Sequence, residues 1–175
     1  ALSGVINVIT RPQNDAISGM GLTLQSGSFD TFGATFSAQH SNDVNRIRLS
    51  INRLHTNGTN IARQGSEDDG YENSTVNVAG TFRPSDVMAV NYSMRHVDLT
   101  SEFDEIDVVT TGLPVDADNE TNTEQLYGGI SVAFSLLDGS LDQIFSIART
   151  ETENINRTAS PVPDTSRGIK DKLEY

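Results

Sequence analysis

The chain contains no cysteine in its 175 residues. Disulfide bonds, thiolate zinc sites and thiol catalysis are therefore excluded for this sequence. No apolar run approaches the roughly 20 residues that a membrane-spanning helix requires. This second absence leaves open a spanning β-barrel, because barrel strands alternate between apolar and polar residues and carry no continuous apolar run.

Positive charge is also scarce, since 24 acidic residues stand against 12 Lys and Arg residues and give a net charge of −12. A nucleic-acid-binding surface must be basic to engage phosphates, so nucleic acid is not an expected partner. The sequence also lacks a serine nucleophile elbow, a P-loop and a His-Glu-x-x-His motif. We therefore expect no enzymatic activity.

Alternation of apolar and polar residues dominates the sequence. In the segment 46–53, Ile47, Leu49 and Ile51 share one face of a strand, and the residues between them are polar. The same period of two recurs in the segments 17–26, 31–39, 75–82, 88–95, 124–134, 141–150 and 168–175. This period predicts β-strands of about nine to eleven residues each and no amphipathic helix.

The predicted connections alternate between short and long. Residues typical of tight turns occur at 41–45, 83–86 and 136–140. Between these turns lie longer polar stretches at 56–73, 98–122 and 152–167. Loops of this length are uncommon in compact domains and are usually functional. The pattern predicts an all-β, antiparallel up-and-down meander of about eight strands with its long loops at one end.

Two settings produce this alternation. In a soluble β-sandwich the apolar face covers a core and the polar face meets water. In an outer-membrane barrel the apolar face contacts lipid and the polar face lines a wet interior, with long loops on one side as here. Where the apolar phase ends, at Arg53, His96 and Arg149, we expect these side chains to reach either anionic head groups or water.

The first residues, ALSGVINVITRP, resemble the last strand of the plug domain in TonB-dependent outer-membrane receptors. Members of that family carry a small residue followed by Gly-Val-Ile-Asn-Ile-Ile-Thr there, then Lys or Arg and often Pro. Leu2 and Ser3 depart from the usual Gly-rich lead-in. The match comprises Gly4, Val5, Ile6, Asn7, Val8, Ile9, Thr10, Arg11 and Pro12. The resemblance implies that residues 1–12 end a plug domain and that residues 13–175 begin a transmembrane β-barrel.

By this resemblance the chain is expected to be a fragment of a receptor in the outer membrane of a Gram-negative bacterium. Barrels of this family have about 22 strands, and the signal peptide, most of the plug and the segment that contacts the TonB complex would lie upstream. The family implies energised uptake of a scarce nutrient, such as a ferric siderophore or cobalamin. Two alternatives stay open, namely a small complete eight-stranded outer-membrane barrel and a soluble β-sandwich adhesin or binding module.

The stretch SEDDGYENSTVNVAGTF resembles the start of a barrel strand in cobalamin-receptor-like members, where the preceding loop contributes calcium ligands. The candidate calcium ligands by that resemblance are Glu67, Asp69, Asp104 and Asp118. Asn60 stands where a further carboxylate is expected. Calcium takes about six to eight oxygen ligands, and the segment 98–121 contains eight acids and no Lys or Arg. The alternative is a solvated acidic loop that keeps the surface soluble.

Overall fold

The computed structural model describes residues 18–62, 65 and 67–175. Its eight strands are β1 Gly19–Ser26, β2 Phe32–Ser41, β3 Asn45–Thr59, β4 Asp69–Ser85, β5 Met88–Ile106, β6 Pro114–Leu136, β7 Leu141–Arg157 and β8 Asp164–Glu174. In this part of the chain no helix is long and apolar enough to cross a membrane. The plug signature from Gly4 to Thr10, with the whole predicted segment 1–12, lies outside the described residues.

The strands form one sheet in the order β1 to β8, and each strand is antiparallel to the next. The predicted all-β meander of eight strands is therefore confirmed. β1 and β8 stand at opposite edges and do not pair in the described sheet, which is open. The alternative of a complete eight-stranded barrel is wrong for this arrangement, because closure requires hydrogen bonds between the first and last strands.

The connections alternate between two ends of the sheet, as predicted. The short-turn end carries residues 42–44, 86–87 and 137–140. The opposite end, here called the loop end, carries residues 27–31, 107–113 and 158–163, and the connection between β3 and β4, of which residues 60–62, 65, 67 and 68 are described. The three short turns lie close to their predicted positions, although residues 83–85 belong to β4.

The predicted long loops at 56–73, 98–122 and 152–167 are wrong in extent, because strands occupy half or more of each stretch. β5 and β6 are 19 and 23 residues long, well beyond the predicted strand length. Their loop-end halves carry polar residues on both faces, so the alternation that marks a half-buried strand is absent there. Backbone pairing nevertheless continues, for example at Thr100↔Asn122 and Glu102↔Glu120.

The register places the apolar residues of neighbouring strands in rows on one face, here called the apolar face. One such row runs through Leu49, Val78 and Met94. These rows are not covered by a second layer in the described residues, and Leu22 and Met94 are 65% and 46% exposed. The sheet therefore presents its apolar face outward.

The opposite, polar face holds every buried residue of the described chain. These residues are Gly33, Ser41, Thr75, Val97 and Asn119. Each lies in the phase of its strand that alternates with the apolar rows. Val97 is the one buried apolar side chain among the described residues. Burial on this side indicates that the sheet curves with its polar face inward, where a concave pocket of about 620 Å³ lies.

Cross-strand hydrogen bonds between Thr and Asn side chains cover the polar face. The Asn52 Nδ2 atom donates to Thr35 Oγ1 at 2.8 Å, and these residues are register partners in β2 and β3. The Thr123 Oγ1 atom donates to Asn154 Oδ1 at 2.7 Å in the same way across β6 and β7. Because such pairs form only in the observed register, they stabilise it against slippage.

Candidate functional site

The loop end of β4, β5 and β6 gathers the acidic residues that the sequence singled out. Glu67 precedes β4, Asp69 is its first residue, and Asp104 and Asp118 lie near the loop ends of β5 and β6. Since β4 and β6 both pair with β5, the antiparallel register brings all four residues to one end of three adjacent strands. Here they form an acidic cluster of seven carboxylates: Glu67, Asp68, Asp69, Glu102, Asp104, Asp116 and Asp118.

The electrostatics of the acidic cluster favour protonation. Burial raises the pKa of Glu67, and the negative charges of Asp118 and Asp116 raise it further. Burial also raises the pKa of Asp69, and the neighbouring charge of Asp104 adds to the effect. Both shifts mean that burial, and after it the neighbouring negative charges, disfavour the charged forms in the folded protein. A proton or a cation would offset both effects.

Two carboxylates that sequence reasoning did not single out tie the cluster to its surroundings. The Glu102 Oε2 atom accepts a hydrogen bond from the Gly70 backbone N–H at 2.8 Å. The Asp116 Oδ1 atom accepts one from Asn60 Nδ2 at 3.0 Å, so the amide that replaces an expected carboxylate binds a carboxylate instead. A sequence signal for both was present, because acids two residues apart occur in each of two paired strands.

Buried polar atoms without partners lie beside the acidic cluster. Asn119 is 2% exposed, and neither its Oδ1 nor its Nδ2 atom has a hydrogen-bond partner among the described residues. The Oδ2 atom of Asp104 is likewise buried without a partner in this part of the chain, while its Oδ1 atom accepts from the Ala117 N–H at 3.3 Å. An unsatisfied buried polar group costs about 1–3 kcal/mol.

The donor set of the cluster fits a hard cation in its chemistry. Carboxylate oxygens are among the ligands that calcium prefers, and the cluster supplies seven carboxylates. Within the described ranges, however, no group of three or more His, Asp and Glu side chains is arranged as a metal site. The geometry thus brings the candidate ligands near one another without closing a coordination shell.

A row of ion pairs borders the apolar face on its loop-end side. Arg53 pairs with Glu72 at 3.2 Å, and His96 pairs with Glu124 at 3.1 Å. Arg149 pairs with the carboxylate of a neighbouring strand, Asp171, at 3.8 Å. All of these side chains are exposed, so each pair contributes only about 0–1 kcal/mol. The three side chains at the ends of the apolar phase, Arg53, His96 and Arg149, therefore have protein carboxylates as partners.

Replacing Asp69 with Asn should stabilise the loop end near neutral pH, because Asn cannot carry the charge that the cluster repels. A carboxyl group with a raised pKa stabilises the fold below its unfolded pKa and loses that contribution as the pH rises through the folded value. With a chelator present, amide hydrogen exchange at residues 68–71, corrected for intrinsic rate, should slow a few-fold in Asp69→Asn at about pH 7, and the difference from wild type should be smaller at about pH 5.

Asp86→Asn provides the control, since Asp86 lies in an exposed turn at the short-turn end. It should leave exchange at residues 68–71 unchanged. Equal exchange in Asp69→Asn and wild type at both pH values would contradict the repulsion inferred for the cluster.

Comparison with known proteins adds no relative. No protein-family model, no curated protein and no solved structure matches this chain. The resemblance to TonB-dependent receptors therefore depends on the quoted residues alone, and the arguments for function depend on the polarity of the sheet and on the loop end.

Proposed function

We propose that this chain forms part of the wall of a transmembrane β-barrel in the outer membrane of a Gram-negative bacterium. The observation that carries this proposal is the polarity of the sheet. Its apolar face is exposed, while all five buried residues of the described chain lie on the polar face. A soluble β-sandwich has the reverse arrangement, because its apolar faces pack together to make the core.

Energetics support a lipid environment for the apolar face. Leu22, Phe36, Ile51 and Met94 all lie on this face and are exposed. Burying one such side chain away from water is worth about 1.5–3 kcal/mol, and a second protein layer that would provide this burial is absent from the described residues. Acyl chains offer an apolar medium without such a layer.

The height of the apolar face also supports a membrane span. In β6 the apolar phase runs from Leu126 to Leu136, which covers eleven residues of the strand. A tilted transmembrane strand needs about 9–11 residues. On the loop-end side the ion pairs begin at the margin of this stretch, because His96 and Arg149 are the register partners of Leu126 and Gly128. A charge near the interface costs close to nothing, compared with about 2–4 kcal/mol for Arg or Lys at the bilayer centre.

The whole protein, in this proposal, is a TonB-dependent receptor. The plug signature from Gly4 to Thr10 supports this assignment, and the concave polar face offers hydrogen-bonding side chains to a plug inside the barrel. The loops would bind a scarce nutrient, a ferric siderophore or cobalamin, and the TonB complex would supply the energy to rearrange the plug. No covalent bond is made or broken, so the mechanism requires no catalytic residue.

Calcium binding at the acidic cluster is a further part of the proposal. The raised pKa values of Glu67 and Asp69 and the unpartnered Oδ2 atom of Asp104 support a site that gains stability from a cation. A bound divalent ion would link the β3–β4 connection to the β5–β6 hairpin. Its role would be structural, because it would hold two extracellular segments in one arrangement.

Lipid contact can be tested residue by residue in cysteine-free full-length protein. A fluorophore on Leu49→Cys, Val78→Cys or Met94→Cys should be quenched by brominated lipid. One on the register neighbours Ser50→Cys or Asn77→Cys should be quenched by aqueous iodide instead. We expect the two sets to separate completely, because adjacent residues of a strand point to opposite faces.

The soluble adhesin predicts a different result. Labels at Leu49, Val78 and Met94 would be shielded from both quenchers by a protein core, and the protein would stay dispersed without detergent. Equal quenching of both sets by iodide would also overturn the lipid assignment.

Transport is tested in cells. Deleting the gene should abolish uptake of one labelled ferric siderophore or of cobalamin, and deleting TonB should abolish the same uptake while surface binding persists. Complementation with the full-length gene is the control. If uptake of every tested ligand persists after TonB is deleted, the receptor assignment is contradicted, even if the lipid contacts are correct.

Calcium should slow proteolysis of the segments 56–73 and 98–122 in the full-length protein, and a chelator should restore cleavage. In Asp69→Asn and in Asp104→Asn, the calcium concentration that gives half-maximal protection should rise about tenfold. In Asp86→Asn this concentration should stay as in wild type. Equal cleavage rates with calcium and with chelator would contradict the proposed calcium site and leave the barrel proposal intact.

A further inference from the structure

The tip of the β5–β6 hairpin is held in one conformation by Asp107. Its Oδ1 atom accepts hydrogen bonds from the backbone N–H groups of Val109 at 3.2 Å and Thr110 at 2.9 Å. Its Oδ2 atom accepts from the Thr111 backbone N–H at 3.2 Å and from Thr111 Oγ1 at 3.0 Å. These bonds, led by that from Thr110, lower the pKa of Asp107, so the carboxylate stays charged and the bonds persist under mild acid.

Backbone bonds close the same tip. The Asp107 N–H donates to the Leu113 carbonyl at 3.0 Å, and the Gly112 N–H donates to the Asp107 carbonyl at 2.7 Å. Gly112 has a φ of 67°, a conformation that glycine adopts without strain. The connection is therefore an ordered turn.

This ordered turn presents apolar side chains to solvent. Val108 and Val109 are 82% and 91% exposed, and Ile106 is 61% exposed. Leu113 and Val115 are exposed beside them. We call residues 106–115 the apolar tip. A β-branched side chain on a fixed backbone loses little entropy when it binds, so such a tip is prepared for docking.

The stem below the apolar tip is strongly acidic. Residues 102–120 carry seven carboxylates and no Lys, Arg or His. An anionic membrane surface and a second copy of the same hairpin would both be repelled by this charge. One bound calcium ion would leave the stem negative. A partner must therefore bring positive charge as well as an apolar surface.

We propose that the apolar tip docks into an apolar depression rimmed by Lys or Arg on a partner polypeptide. Val108 and Val109 fill the depression, and the acidic stem attracts the rim. Burial of the two valines supplies affinity, and the charges supply orientation and association rate. The hairpin has this composition whether or not the sheet spans a membrane, so the inference is independent of transport.

The test uses the full-length protein and three immobilised synthetic peptides of equal length. The protein is held in zwitterionic nanodiscs if the lipid-quenching experiment succeeds, and in plain buffer if it fails. The first combines Lys with Leu and Trp, the second combines Lys with Ser, and the third combines Glu with Leu and Trp. Binding is measured by interferometry with empty nanodiscs subtracted. We expect the first peptide to bind most tightly, by about tenfold or more over each of the others.

The variant Val108→Ser/Val109→Ser should lose about tenfold in affinity for the first peptide. Val162→Ser is the matched control, because Val162 is a 72% exposed valine in the neighbouring loop-end connection, and it should bind as wild type does. Asp107→Ala should weaken binding while keeping both valines, since the turn loses its fixed conformation.

Four results would overturn the proposal: no binding above the nanodisc background, equal binding of the Lys-Ser peptide, equal binding of the Glu-containing peptide, or unchanged affinity in the double valine variant. Because both valines are almost fully exposed, their replacement leaves no cavity, and a loss of binding cannot be ascribed to unfolding. Failure of the lipid-quenching experiment would leave this result unaffected.

Discussion

The hydrogen-bond ladder between neighbouring strands keeps most apolar residues of the sheet on one face, and the polarity of the sheet depends on it. A slip of one residue in any strand would turn its apolar set to the polar side. The pairs Thr35–Asn52 and Thr123–Asn154 oppose such a slip, because their hydrogen bonds exist only in the observed register. The apolar face that results has no protein cover in the described residues.

The same ladder concentrates negative charge at the loop end. Pairing of β4 and β6 with β5 continues beyond the apolar stretch and draws Glu67, Asp69 and Asp118 together. Forming these backbone bonds brings carboxylates close enough to repel one another. It also buries the side-chain polar atoms of Asn119 without partners among the described residues. Such local conflicts within an otherwise consistent fold are expected where a ligand completes the structure.

The two ends of the sheet therefore differ in kind. At the short-turn end the strands are joined by tight connections of two to four residues. At the loop end the hairpins extend past the row of ion pairs, and the longest of them carries the apolar tip above its acidic stem. Because the long hairpins at the loop end present charged and exposed apolar side chains beyond the row of ion pairs, this end is the one suited to recognition.

Much of the fold was predictable from the sequence, because side chains of a strand alternate whatever surrounds them. The period of two assigned Leu49 and Ser50 to opposite faces, and the turn residues placed three reversals correctly. Alternation could not reveal the outer halves of β5 and β6, since apolar residues such as Leu99, Phe103 and Val115 are sparse there and lie on the opposite face from the apolar rows. Asp107 was counted among the loop acids, but its bonds to Val109 and Thr110 follow from the turn's conformation.

The amino-acid sequence by itself determined the meander, the residues that share each face of a strand, and the excess of acidic residues. All three follow from local alternation and composition. Only the tertiary structure decided which face curves inward, because a sandwich and a lipid-facing wall share one pattern. Curvature placed Thr75 and Asn119 inside, and pairing across β5 brought Asp69 toward Asp104. Both depend on contacts between distant segments, which no local pattern encodes.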